Sequence, residues 1–192
     1  YFHDTWSLIY PIELRAGLFD KSIKPLSDDT RESINFSINY SMVFTKDLQG
    51  SITTDITQQQ GLLSTPFHRV FLDNGSTDIE RLPDSRLKVA VGIKLNYFIN
   101  DYLTTRFFYR YYWDDFGITA NSFELELPIK INKTLQVSPF FRYYFQSQAD
   151  YFAPYQKNKF DAEFYTSDYD LSNFSSNLYG VALRYSPKLN SW

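Results

Sequence analysis

Residues 101–148 read DYLTTRFFYR YYWDDFGITA NSFELELPIK INKTLQVSPF FRYYFQSQ, three alternating runs broken by two very short turns. The run 102–113 places Leu103, Thr105, Phe107, Tyr109 and Tyr111 on one face and Thr104, Arg106, Phe108, Arg110 and Tyr112 on the other. The run 118–131 sets Phe123, Leu125, Leu127 and Ile129 against Ser122, Glu124, Glu126 and Lys130. The run 135–147 repeats the device, with Val137, Phe141, Tyr143 and Phe145 opposed by Gln136, Ser138, Arg142 and Gln146. Side chains alternate across a strand with period two, so each run has one apolar face and one ionic face. That pattern predicts an all-β chain: an antiparallel, up-and-down transmembrane β-barrel with its apolar side to lipid and its polar side to the lumen.

Composition agrees with that expectation. Aromatic residues make up 19% of the chain, an excess that barrels place in girdles at the two membrane–water interfaces. Mean hydropathy is −0.38 and no apolar run approaches the roughly 18 residues of a helical span. A net charge of −3 with no basic block argues against nucleic acid as a partner. Absence of cysteine removes disulfides, thiolate metal sites and thiol nucleophiles. No charged n-region or apolar h-region precedes Tyr1, so any signal peptide lies outside this sequence.

Further strands are expected at residues 5–19, 33–45, 51–63, 87–97 and 177–186, bringing the total to about eight. The run 33–45 alternates cleanly, Ile34, Phe36, Ile38, Tyr40, Met42 and Phe44 against Asn35, Ser37, Asn39 and Ser41. Short connections fall at 46–50, 98–101 and 132–134, opposite longer ones at 20–32, 64–86 and 148–175 and the tight 114–117. Short periplasmic turns facing long outer loops is the barrel rule, which sends both ends of the chain to the periplasm. Strands of ten or more residues suit a tilted span better than a soluble sandwich. The expected organisation is a single barrel domain over residues 1–192, incomplete at both ends.

The candidate functional groups follow from the same alternation. Arg106, Arg110, Glu124, Glu126 and Arg142 fall on the lumen side, where Arg106 is expected to face Glu124 or Glu126, and Glu124 to face Arg142. Opposite charges across neighbouring strands fix register; the same charges can select solutes in a pore. Arg86, Lys88 and Lys94 add cations and would favour anionic solutes. Asp114, Asp115, Asp161, Glu163, Asp168 and Asp170 form an acidic outer rim, with Tyr165 among the loop aromatics. Hard oxygen ligands of this type can hold a divalent cation, but their spacing fits no EF-hand loop and solvated loop charge is the expected reading. Imidazole is limited to His3 and His68; a serine–His68–Asp84 hydrolase is formally available, but no nucleophile elbow supports it. No cofactor or resident metal and no enzymatic activity is expected.

Three segments carry a resemblance: residues 65–70 (TPFHRV), 80–86 (ERLPDSR) and 109–117 (YRYYWDDFG), extended by 141–144 (FRYY), 150–152 (DYF) and 165–172 (YTSDYDLS). In these the chain resembles a bacterial outer-membrane β-barrel family catalogued only as a domain of unknown function. The similarity covers roughly residues 62–186, and its loops are nearest in style to Bacteroidota members. It implies a fold and a place in the outer membrane, and supplies no activity.

Two function classes follow, with a third behind them. The first is a barrel admitting small polar or anionic solutes. The second is an interaction or assembly barrel whose outer loops, above all the aromatic stretch 148–175, dock partner proteins or surface glycans. The third is the His68 hydrolase. In each the lipid bilayer of the outer membrane is the first partner, and protein partners in a membrane complex are the next.

Overall fold

The computed structural model describes residues 2–6, 29–65 and 68–187, and it is all-β. In chain order the strands are β1 (Phe2–Trp6), β2 (Asp29–Val43), β3 (Leu48–Gly61), β4 (Arg69–Phe71), β5 (Thr77–Ile79) and β6 (Ser85–Asn100). They continue with β7 (Leu103–Asp114), β8 (Thr119–Glu126), β9 (Ile129–Lys130), β10 (Leu135–Gln146) and β11 (Phe174–Tyr185). A 3-10 turn, Tyr169–Leu171, precedes β11. Eight strands form one sheet in the order β1-β2-β3-β6-β7-β8-β10-β11, with the two-residue β9 beside β7 and β10. The pairings β1–β2, β6–β7, β7–β8, β7–β9, β8–β10, β9–β10 and β10–β11 are antiparallel.

The chain divides into two compact units. The first comprises Tyr1–Asn35, Thr57–Leu87 and Tyr151–Tyr169. Its described part is built on the β4–β5 hairpin, whose Val70 and Leu72 pack with Tyr165 into a small buried cluster flanked by Ala162. Antiparallel backbone bonds between Arg81 and Tyr165 tie residues 151–169 to the hairpin.

The second unit, Phe36–Ile56, Lys88–Asp150 and Asp170–Trp192, holds the central long strands. Register sets one row of side chains after another across it: Lys94 opposite Phe108, Phe108 opposite Glu124, Glu124 opposite Arg142. On the opposite face Leu95, Phe107, Leu125 and Phe141 form the parallel apolar row, followed on β11 by Tyr179. This apolar face is not packed into a core. Phe36 is 58% exposed, Leu125 40% and Tyr179 74%, while the long strands contribute only Ala90 and Ala120 to the buried hydrophobic residues.

Three departures from the sequence reading have local causes. The segment 64–86, expected as a loop, contains the β4–β5 hairpin: its runs are three residues each, too short to show alternation, and the turn forms at Asn74-Gly75, where Gly75 has φ +83°. The strand expected over 118–131 breaks after Glu126, because Pro128 cannot donate to a ladder; the chain resumes as β9, and the Pro128 carbonyl still accepts from Thr104 N at 3.1 Å. Strand β11 starts at Phe174, three residues before the apolar alternation begins at Asn177. Of the strand expected at 5–19, Thr5 and Trp6 end β1; the rest lies outside the described residues, as do residues 20–28, 66–67 and 188–192, while residues 29–32 of the loop expected at 20–32 belong to β2.

Candidate functional site

The polar face of the central strands gathers the charged side chains. Arg106 lies opposite Glu126 and bonds it at 3.2 Å; Arg142 lies opposite Glu124, its Nε donating at 2.7 Å. The two arginines therefore do not share Glu124, because Phe108 occupies the β7 position across from it. Arg110 reaches over β6 to Asp55 on β3, Nη2 to Oδ2 3.1 Å. It can do so because Gly92 is its register partner on β6 and puts no side chain in the way. Alternation along β3 places Asp55 on this face, yet nothing in the sequence pairs it with a residue 55 positions away.

Between β2 and β3 the face continues as side-chain hydrogen bonds. Ser37 donates to Asp55 at 2.6 Å, Asn39 to Thr53 at 2.7 Å and Thr57 to Asn35 at 2.7 Å. At the other side of the sheet the ring of Phe140 covers Gly180, where a Cβ would strike the ring. The three arginine side chains of the ion pairs are 46%, 46% and 49% exposed, so they are not packed into a core. A cavity of about 200 Å³ opens on it, lined by Lys94, Arg106, Phe107, Phe108, Glu124 and Glu126.

The outer-loop candidates separate into different roles. Asp114 does not belong to a solvated acidic rim: it is 0% exposed, and its carboxylate accepts from Phe116 N at 3.1 Å, Ile118 N at 3.0 Å and the Tyr112 hydroxyl at 2.7 Å. It holds the β7–β8 turn, completed by Gly117 at φ +87°, where a Cβ would strike the Asp150 carboxylate. Asp115, next in sequence, is exposed. Asp161, Glu163 and Asp170 are exposed; Asp170 contributes its carbonyl to Gln146 Nε2 at 3.0 Å. Asp168 is half-buried, and its amide donates to Thr166 Oγ1 at 2.9 Å. Among the described residues no three His, Cys, Asp or Glu side chains come together as a metal site.

Tyr165 is buried and donates to Asp78 at 2.7 Å, with the Arg81 guanidinium 5.6 Å from its ring centre. Burial, then the donated bond and the Asp78 charge, push its phenol up to about 12, against a smaller downward pull from Arg81. Sequence reasoning passed over Glu80. It is 5% exposed; one oxygen accepts from Thr65 N and the other from Thr166 Oγ1, so one carboxylate clamps both ends of the loop cluster. Nothing in the sequence separates it from Asp73, Asp78 and Asp84 in the same stretch. His68 is engaged through its backbone, its carbonyl accepting from Glu80 N at 2.8 Å, and the Asp84 carbonyl accepts from Gly61 N at 2.7 Å.

The family described as "Protein of unknown function (DUF3570)" matches residues 15–190. No curated protein and no solved structure matches the chain.

Proposed function

The chain belongs to that family of unknown function, and on that footing we propose that it is an outer-membrane β-barrel whose polar face admits small polar or anionic solutes. The observation that carries this is the apolar face left exposed along strands of 12 to 16 residues, with ions confined to the opposite face. In water such a face would be a contiguous hydrophobic patch of a kind that soluble monomers rarely expose. In lipid it is the wall of a spanning barrel, whose closure satisfies the edge strands. No helix among the described residues is long and apolar enough to cross a membrane, so strands carry the span in this reading.

The test is fractionation. The full chain should sediment with outer membranes, resist carbonate extraction and require detergent, and it should change apparent mass on gels when boiled. Recovery from the periplasm without detergent would overturn the reading. A second reading, a docking barrel, draws on loop rings held out to solvent, Tyr155 at 57% and Phe160 at 64% exposure. Zero conductance in planar bilayers, together with a partner retained in mild detergent, would favour it over transport.

A further inference from the structure

We infer that the cavity beside Lys94 is a binding subsite for a small organic monoanion, a carboxylate carrying an apolar body. This rests on the barrel reading above and names the solute class that its polar face selects. Each charged group in the cavity wall except one already has a partner. Arg106 is paired with Glu126, and Glu124 with Arg142. Among the described residues Lys94 is the lining cation without an ion-pair partner, and its ammonium is exposed. An anion entering there gains a charge-assisted bond without breaking an existing pair.

The rest of the lining narrows the class. A volume of about 200 Å³ is several times the roughly 30 Å³ share of a water molecule, so a bare inorganic ion would leave it mostly empty. Phe108, opposite Lys94 in register, offers an apolar wall for the remainder of the ligand. The carboxylates of Glu124 and Glu126 stand on β8, each held by its own arginine, so a single carboxylate at Lys94 leaves both pairs in place. One carboxylate at Lys94 with an apolar body against Phe108 meets all three constraints.

The experiment uses the full chain purified in detergent, with 4-fluorobenzoate as probe and 4-fluorobenzamide as its uncharged counterpart, both followed by fluorine NMR. The carboxylate should bind and the amide should bind at least about tenfold more weakly, the value of one charge-assisted hydrogen bond. Lys94→Gln should weaken carboxylate binding by a similar factor and Lys94→Arg should restore it. Lys46→Gln, which removes an exposed turn cation, should leave binding unchanged. Equal binding of acid and amide, or binding indifferent to Lys94→Gln, overturns the subsite, and the acid–amide comparison stands even if a variant fails to fold. Planar-bilayer recordings separate the two levels. Lys94-dependent binding without conductance keeps the subsite and removes the pore, whereas conductance with Lys94-independent binding removes the subsite alone.

Discussion

Asp114 and Asp115 are neighbours with the same side chain and opposite fates, and the difference lies in which amides each can reach. Asp114 ends β7 with its carboxylate turned into the β7–β8 turn, where it satisfies two backbone amides and a tyrosine hydroxyl inside a site closed to water. Asp114→Ala strands those donors, and each buried donor left unpaired costs about 1–3 kcal/mol. The variant should therefore lose several kcal/mol in urea unfolding followed in detergent, more than Asp115→Ala at the exposed neighbour; equal effects would refute the turn role. No pattern in the sequence distinguishes the two acids, since turn geometry decides it and alternation does not reach into turns. Tyr165 gives a second residue-scale test, through pH. Its folded phenol sits near 12 against about 10 when unfolded, so the fold favours the protonated form. That contribution is complete below pH 10 and is lost as pH rises from 10 through 12. Limited proteolysis of residues 151–169 should accordingly stay slow to about pH 10 and accelerate above it. Tyr165→Phe, which has no proton to lose, should abolish the Tyr165-linked part of that rise; an unchanged profile would mean the phenol does not govern the loop.

Single strands obey a simpler logic, and most of it was legible. Period-two alternation located β2, β3, β6, β7, β10 and β11 to within a few residues and sorted their faces, because a one-residue slip would have reversed every side chain. What escaped were features that alternation does not encode: the Pro128 break, the three-residue strands β4 and β5, and the start of β11. The ion pairs were half legible. Adjacent-strand partners follow from turn length, but Arg110–Asp55 skips a strand and depends on Gly92 being small. Leu125 tests the face assignment directly. It lies between Phe107 and Phe141 in register, on the apolar side of β8. Leu125→Arg should destabilise by about 2–4 kcal/mol if that side meets the middle of a bilayer. Glu126→Gln, one residue on and facing the other way, should cost far less. Both variants would be compared by urea titration after refolding into vesicles, and equal tolerance would remove the lipid-facing assignment.

At the scale of the molecule the question is whether the polar face is wet. Neither strand count nor composition answers it, because a small barrel can be plugged by its own side chains, and closure depends on edges that no local pattern describes. The ion pairs offer a gauge. Lys94, Arg106, Arg110 and Arg142 share the face with Asp55, Glu124 and Glu126. Solvent-exposed pairs are worth about 0–1 kcal/mol, whereas removing one member of a buried pair costs about 3–5 kcal/mol. The side chains of Arg142 and Glu124 are 49% and 26% exposed, which places the pair nearer the former. Glu124→Ala should therefore lower stability by no more than about 1 kcal/mol. It should also leave Arg142 without its partner, add one positive charge to the face, and shift the reversal potential of a reconstituted channel toward anions. A large loss of stability with no current in any variant would mean a dry, plugged interior, and the transport reading would fall. A small loss with a shifted potential is what an open, cation-lined path requires, since the charge that sets selectivity must also be hydrated enough to do without its partner.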